Sequence, residues 1–486
     1  MKALLATYAA SNLLSGVASL LSVLVLARLL PPAQYGEYVT VLVVATLCQT
    51  AGFSWLNSSV IRLHAEETDE YGRARFAAAA LIGFTLSAVV VVVIWAIGLA
   101  VLRLWSVDRT WLGVAGLSVL LSTSWASIGL AWNRVTARHR RFVAAQAIQA
   151  LGGLALAIAG LAWRPGEPLV ALAALAVASL LAASIARFPV RTALRERRQV
   201  RRRLRDIWTY GAPVTGASLG YTILASSDRL LIAASLGPTA AGAYAAASGI
   251  AGRALGLLLP PIAVAIRPQV FLEFSQRGAE PARQLMYRTS GWLIAIGLPV
   301  TVLFVCAPGP LASVILGNDL GVAAAQVLPW TAVGALMSVF LTMHFALAFQ
   351  VARRTNWMLL AVAPAALLNI LSNVVLLPTF GIVAAGWSIV ASHAIALLLA
   401  IGFGDRHFRV PFAFSDAWRT VVACAPLVAF LQLEFPATIS GFVLMLGGGA
   451  LAYAVSAFAL DVANVRSELM ALLRKFRRGA RREPKA

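Results

Sequence analysis

The feature that most constrains this chain is a series of long apolar segments with almost no charge. Residues 77–102, for example, run for 26 positions without Asp, Glu, Lys or Arg. A helix needs about 20 apolar residues to cross the hydrocarbon core of a bilayer. Of the 486 residues, 60% are hydrophobic and only 12% are charged, about half the charged share of a typical soluble domain. We therefore expect an integral membrane protein, which excludes soluble enzymes, disordered chains and disulfide scaffolds.

Fourteen segments are long and apolar enough to be membrane spans, and they predict an all-α polytopic protein. The predicted spans are residues 7–27, 39–61, 77–102, 111–133, 142–162, 168–188, 207–233, 239–266, 289–307, 322–349, 357–377, 382–403, 417–433 and 438–460.

The positive charges indicate how these spans are oriented. With a cytoplasmic N-terminus, 34 of the 40 Lys and Arg residues fall in cytoplasmic segments and four fall outside. Cytoplasmic loops of membrane proteins carry such an excess of Lys and Arg. The distribution predicts an N-in/C-in topology with an even number of spans. It also explains the net charge of +21 without a nucleic-acid partner.

A repeat at a constant offset of 206 residues relates two predicted hairpins. The matched pairs are Ala27 and Ala233, Leu30 and Leu236, Pro32 and Pro238, Gly36 and Gly242, and Tyr38 and Tyr244. Both copies join an outward-going span to an inward-going one, so the repeat keeps its membrane orientation. Parallel repeats of this kind are typical of transporters, with a substrate site between the halves. An accidental likeness of two Pro/Gly-bounded hairpins is the alternative.

The repeat and the basic loops predict a division of the chain into two pseudo-symmetric lobes with additions. The predicted parts are an N-terminal six-helix lobe (1–190), a basic cytoplasmic linker (191–206), a C-terminal six-helix lobe (207–404), two additional helices (405–463) and a basic cytoplasmic tail (464–486).

Polar residues inside the predicted spans indicate a cavity. A charged side chain at the bilayer centre costs roughly 2.5–3.5 kcal/mol, so it should face protein or water. The predicted substrate-cavity residues are Arg253, Arg229, Asp228, Asn12, Ser15, Tyr221, Asn369 and Asn373. The alternative is that these groups form structural ion pairs and hydrogen bonds between helices.

Two titratable residues are candidates for coupling an ion to transport. Carboxylates and imidazoles within spans carry protons in pumps and transporters, which singles out Asp228 and His344 and suggests H+ or Na+ as the ion. His344 could equally be a buried packing residue. The three cysteines lie in apolar runs without metal-ligand spacing, so we predict no metal site and no cofactor.

Several stretches together resemble a known family. They are LARLLPPAQYGEYVTVLVV at Leu26–Val44, the segment Tyr210–Tyr244 with Gly211, Pro213 and Asp228, a charged loop from Pro268 to Arg288, and Asn369, Asn373, Pro378, Gly381, Ala385 and Gly386. Their order is similar to that in the polysaccharide or O-antigen flippases of the multidrug/oligosaccharidyl-lipid/polysaccharide exporter superfamily.

The resemblance implies a function as well as a fold. It implies two six-helix lobes around a central cationic cavity, two extra C-terminal helices and alternating access. The implied substrate is an undecaprenyl-diphosphate-linked oligosaccharide, moved from the cytoplasmic to the outer leaflet of the bacterial inner membrane for exopolysaccharide or O-antigen synthesis. Membrane lipids and polysaccharide polymerase machinery are the expected partners, and no catalytic residue is expected.

Three other functions remain open at this point. An ion-coupled drug/cation antiporter should have twelve spans and buried acidic residues. A membrane polysaccharide polymerase or glycosyltransferase should have a large external loop or clustered external carboxylates. A non-catalytic assembly protein is the third. The sequence lacks GxxxxGK[ST], HExxH and GxSxG, which argues against ATP hydrolysis by a P-loop and against two common hydrolase sites.

Overall fold

The structure is a computed structural model that describes residues 2–64, 67, 69–104, 110–195, 200–352, 354, 356–406, 408–435, 438–467 and 470. This part of the chain is all-α, as predicted. In chain order the helices are α1 (Lys2–Leu29), α2 (Pro32–Leu63), α3 (Glu70–Leu104), α4 (Thr110–Val135), α5 (His139–Trp163), α6 (Pro168–Ala186), α7 (Val190–Arg195), α8 (Val200–Leu236), α9 (Pro238–Leu258), α10 (Pro260–Arg277), α11 (Ala279–Cys306), α12 (Pro308–Leu316), α13 (Asp319–Val351), α14 (Asn356–Phe380), α15 (Ile382–Asp405), α16 (Phe414–Leu431) and α17 (Ile439–Ala459).

Twelve helical segments are long and apolar enough to cross a membrane. They correspond to twelve of the fourteen predicted spans. The other two are α1, whose apolar part Leu13–Leu29 is shorter, and α8, which is 37 residues long but begins with a basic turn. The multi-pass fold is thus confirmed. The count of fourteen and the N-in/C-in topology stay predictions.

Three predicted boundaries are wrong. α8 begins at Val200, so the predicted linker 191–206 is largely helical. The expected charged loop from Pro268 to Arg288 is instead the end of α10 and the start of α11, joined at Gly278, where φ is +88°. Charged residues can extend a helix beyond the bilayer, so charge alone does not mark a loop. The predicted span 239–266 is interrupted at Leu259, because the two prolines that follow cannot donate backbone hydrogen bonds.

Contacts between residues divide the chain into two compact units. The first comprises residues 1–250 and 358–392, and the second comprises residues 251–357 and 393–486. These units describe packing, whereas the predicted lobes 1–190 and 207–404 describe internal symmetry. The division into lobes therefore stays a prediction.

In the first unit, α2 lies directly against α8. The Ser59 hydroxyl donates to the carbonyl oxygen of Ile207 over 2.8 Å, and a side chain at Gly211 would overlap the Trp55 carbonyl. Small residues permit such close approach, and helices in membranes associate through it. Aromatic side chains of α2, α3 and α4 pack beside this contact. The α2–α8 pair thereby fixes the position of the polar face of α8.

In the second unit, α11 forms the centre of the packing. The Tyr453 hydroxyl of α17 donates to the Ala295 carbonyl of α11 over 2.5 Å. Ala295 also packs against Ala423 of α16 and Ala457 of α17. The two predicted C-terminal helices therefore attach to α11 through small residues and one buried hydroxyl.

Candidate functional site

A fully buried carboxylate, Asp228 of α8, is the centre of the polar cluster in the first unit. Its Oδ2 atom accepts a hydrogen bond of 2.6 Å from the Tyr244 hydroxyl of α9. Its Oδ1 atom accepts one of 2.9 Å from Nδ2 of Asn373 on α14. Three helices thus converge on one carboxylate.

Asn369 and Asn373 continue the cluster along one face of α14. Both are fully buried. Oδ1 of Asn369 accepts a 3.0 Å hydrogen bond from the Ser227 hydroxyl, and Nδ2 of Asn373 also donates to the Asn369 backbone carbonyl. Oδ1 of Asn373 and Nδ2 of Asn369 have no hydrogen-bond partner among the described residues. The network therefore has unused capacity beside a carboxylate.

Arg229 follows Asp228 in the chain but is bonded elsewhere. Its Nη2 atom donates to the Ser248 hydroxyl of α9 over 3.1 Å, and its Nε atom is buried without a partner in the described part of the chain. Within those described residues, no cationic side chain lies within salt-bridge distance of the Asp228 carboxylate. A buried carboxylate without an ion pair is costly in an apolar medium. Binding a proton or a metal cation would remove that cost.

The other predicted cavity residues do not join this cluster. The Tyr221 and Ser15 hydroxyls are buried and have no hydrogen-bond partner among the residues that the structure describes. The side chain of Asn12 lies outside the described residues. Arg253 is half-buried and belongs to the second unit. Their role in a cavity stays a prediction.

His344 is placed in the second unit, on a π-helical turn of α13. It is fully buried, and its Nε2 atom is 3.1 Å from the carbonyl oxygen of Pro411. Phe340 and Phe345 pack against the ring edge to face. These contacts account for His344 as a packing residue that fixes the loop before α16, and ion coupling by it stays a prediction.

The repeated hairpins meet each other in the first unit. A Cβ atom at Gly36 would overlap the Pro238 carbonyl oxygen, and one at Gly242 would lie 2.8 Å from the Pro32 carbonyl oxygen. Pro32 and Gly36 match Pro238 and Gly242 at the repeat offset. Equivalent residues of the two copies therefore contact each other reciprocally at the first turns of α2 and α9. This arrangement supports a true internal repeat.

Tyr244 is the functional residue that sequence reasoning missed. It was recognised as the repeat partner of Tyr38, but an aromatic residue at that position gave no indication of its hydrogen bond to Asp228. Tyr244 is fully buried, and a buried tyrosine hydroxyl normally requires a partner. Asp228 lies 16 residues earlier on the preceding helix. The pairing of a buried tyrosine with a carboxylate across one hairpin was the available signal.

Comparison with known proteins now gives the family. Residues 5–271 match the model of the family described as "Polysaccharide biosynthesis protein". The chain belongs to this family. No curated protein matches the sequence.

The solved structures that the chain resembles are members of one transporter superfamily. The lipid II flippase MurJ in an inward closed conformation superposes with a TM-score of 0.71 at 12% identity, over 93% of this chain and 98% of that one. An inward-facing MATE family multidrug resistance transporter of the MOP superfamily gives 0.61 at 15% identity, over 84% and 94%. A MOP superfamily transporter from Pyrococcus furiosus, described as having a binding pocket of reversed polarity, gives 0.55 at 14% identity, over 83% and 95%.

These comparisons confirm the predicted resemblance to the exporter superfamily and its polytopic fold. The matched proteins are described as flippases or transporters, which agrees with a protein that is not an enzyme. A multi-pass membrane protein of a polysaccharide biosynthesis family is consistent with the predicted bacterial inner membrane.

Proposed function

We propose that this protein is a flippase that moves an undecaprenyl-diphosphate-linked oligosaccharide from the cytoplasmic to the outer leaflet. The observation that carries the proposal is the family match over residues 5–271 in a chain whose whole fold resembles a lipid flippase. The family indicates polysaccharide synthesis, and the fold is one that transports. Exopolysaccharide or O-antigen synthesis would consume the product.

Substrate recognition is assigned to arginines of a predicted central cavity. A guanidinium stays charged inside a membrane protein and binds phosphate oxygens through two parallel hydrogen bonds. Arg229 suits this role because its Nε atom has no partner among the described residues. Arg253 is the second proposed phosphate-binding residue.

Energy coupling is assigned to the Asp228 cluster. Oxygen and amide groups surround the carboxylate, and no cationic side chain of the described part of the chain neutralises it. Either H+ or Na+ would suit such a site, since both prefer oxygen donors over sulfur or nitrogen. Because the cluster ties α8 to α9 and α14, cation binding there would change how firmly these helices are held together.

Alternating access requires a contact that can open without leaving buried side chains exposed. The reciprocal approach of Gly36 and Gly242 fits this need, because backbone meets backbone and no side chain interlocks. Both glycines lie at helix ends that the arginine distribution assigns to the external side. We infer that this contact closes the external face and separates when the protein opens outward.

The test is a leaflet-exchange assay in proteoliposomes. A fluorescent undecaprenyl-diphosphate glycan is incorporated, and its protection from an impermeant quencher is followed with and without a proton or sodium gradient. We expect protein-dependent exchange that the gradient accelerates. Exchange that is absent for several glycans, with folded protein, would contradict the proposal.

Asp228→Asn tests the coupling role within the same assay. The amide is nearly isosteric and can still accept from Tyr244, but it cannot carry a compensating cation charge. We expect exchange to lose its dependence on the gradient. Asp416→Asn is the matched control, because Asp416 is a buried carboxylate in the second unit. If both variants behave alike, the Asp228 cluster has no special role in coupling.

An ion-coupled drug/cation antiporter is the second candidate. It is favoured by the similarity to a MATE family fold and by the buried carboxylate. Cation efflux measured on the same vesicles distinguishes the two functions, since a flippase for anionic lipids would not exchange organic cations.

A further inference from the structure

A groove on the first unit lies far along the chain from the Asp228 cluster. It has a volume of about 350–520 Å³ at the scale of the cavities in this structure, and its own value is 520 Å³. Helices α2, α3 and α8 form it. Leu86, Val90 and Val91 of α3 line most of its length, while Arg201 and Arg205 of α8 line one end. The groove is therefore apolar along its length and cationic at one end.

The two arginines share one face of α8 and are not engaged in ion pairs. They are spaced i and i+4, which places their side chains next to each other on a helix. Both are exposed, and neither has a carboxylate of the described residues within salt-bridge distance. Arg203, on another face, differs because it binds the buried Glu67 at 2.9 Å. Arg201 and Arg205 thus remain available to an anion from outside the chain.

The depth of the groove corresponds to one leaflet of a bilayer. Ser54 of α2 bonds to Thr215 of α8 near the level of its apolar end, ten residues beyond Arg205. A helix rises about 15 Å over ten residues, which is about half the thickness of a hydrocarbon core. Leu86 and Val90 are 55% and 56% exposed along this path. The cationic end is the end that the arginine distribution assigns to the cytoplasm.

Trp208 occupies the position between the charged and apolar parts. It is 56% exposed and packs edge to face on Trp55, with ring centroids 5.2 Å apart. Tryptophan is enriched at the level of lipid headgroups, where one side of its ring meets apolar chains and the other meets polar groups. Its place in the groove marks the interface at which a headgroup would end and an acyl chain would begin.

We propose that this groove is a binding site for one anionic phospholipid of the predicted cytoplasmic leaflet. The headgroup phosphate binds Arg201 and Arg205, and one acyl chain lies along Leu86 and Val90. Two guanidinium groups match a phosphate that presents several acceptor oxygens. The proposal does not depend on the transported substrate. An occupied site would connect the start of α8 to α3.

The test measures tryptophan quenching by brominated lipids. The full chain is reconstituted in phosphatidylcholine vesicles that contain increasing fractions of brominated phosphatidylglycerol or brominated phosphatidylcholine. Since an arginine near a membrane surface contributes about 1 kcal/mol to anionic lipid attraction, we expect about a fivefold preference for phosphatidylglycerol per arginine. The part of the signal that disappears in Trp208→Phe reports on this groove.

Three variants separate headgroup binding from chain binding and from general charge. R201Q/R205Q should abolish the preference for phosphatidylglycerol. R195Q/R202Q removes the same charge from exposed arginines that do not line the groove, and it should keep the preference. Ala51→Phe, which fills the groove from α2, should reduce quenching by both lipids while the arginines remain. Ala51 is an exposed lining residue, so this change need not disturb the core.

Equal quenching of the parent protein by both lipids would overturn the proposal, as would equal losses in R201Q/R205Q and R195Q/R202Q. A competition arm identifies the lipid. If unlabelled undecaprenyl diphosphate displaces brominated phosphatidylglycerol at a lower mole fraction than unlabelled phosphatidylglycerol does, the groove belongs to the transported lipid and the proposal is wrong. Failure of leaflet exchange in the flipping assay would leave this result unaffected, so the two proposals are tested separately.

Discussion

Replacing Gly36 with alanine tests the contact between the repeated hairpins most directly. A Cβ atom at this position would lie only 2.5 Å from the Pro238 carbonyl carbon and would overlap its oxygen. Contact becomes ordinary at 3.4 Å, so the first turns of α2 and α9 must part by at least about 0.9 Å. The obstacle is backbone, which cannot rotate away as a flexible side chain could.

The energetic consequence has two opposing parts. Overpacking of a tight contact typically costs about 1–3 kcal/mol. Alanine in a helix gains about 0.5–1 kcal/mol over glycine. Gly98→Ala isolates the second part, because a Cβ there meets nothing within 4 Å. The difference between the two variants should therefore be about 1–3 kcal/mol, which reduces the population of the closed arrangement about 5- to 150-fold.

Two measurements check this prediction. Thermal unfolding in detergent should give a Tm for Gly36→Ala that is several degrees below that of Gly98→Ala. In the leaflet-exchange assay, Gly36→Ala should change the rate while Gly98→Ala should not. Gly242→Ala should resemble Gly36→Ala with a smaller effect, since its Cβ would lie 2.8 Å from the Pro32 oxygen. Equal Tm values and equal rates for Gly36→Ala and Gly98→Ala would refute the reasoning.

Three further predictions concern single side chains. Tyr244→Phe removes the 2.6 Å hydrogen bond to Asp228; we expect a changed ion concentration for half-maximal exchange, and an unchanged value would exclude Tyr244 from the coupling site. Arg253→Ala should impair exchange far more than it lowers Tm, and normal exchange would remove Arg253 from the phosphate-binding residues. Burial, and secondarily the charge of Arg73, hold the pKa of His64 below its ordinary value of about 6.5. Its neutral form is favoured in the folded state, so stability should be full above pH 6.5 and should fall as the pH drops from there toward the lowered pKa; His64→Gln should flatten this part of a Tm-against-pH curve, and an unaltered slope would contradict the assignment.

The polar cluster shows how far the sequence could predict a site. Asp228, Asn369 and Asn373 were predicted as cavity residues because polar groups inside apolar spans need partners. The structure does bring these three together. It does not bring Arg253 into the same unit, and it places His344 among phenylalanines instead of water. A polar residue in a span indicates that a partner exists, but it does not indicate which partner.

The boundaries show a different limit. The starts of α2 and α9 were predictable because a proline favours the first turn of a helix. The start of α8 at Val200 was not, since the basic segment before the span looked like a loop. Arg203 bonds there to Glu67, which lies 136 residues earlier. Pairing with a distant carboxylate stabilises a helical turn whose own sequence favours solvent.

The sequence by itself determined that this chain is a helical membrane protein with a parallel repeat. It could do so because the bilayer acts as a solvent, and the order of apolar runs and arginines is therefore enough to specify most spans and to predict their directions. The tertiary structure alone decided that Gly36 meets Pro238 and that Asn373 bonds to Asp228. Lipid is as apolar as the helix surfaces, so hydrophobicity does not select which helices pack together. Backbone approach and individual hydrogen bonds make that selection, and they depend on three-dimensional shape.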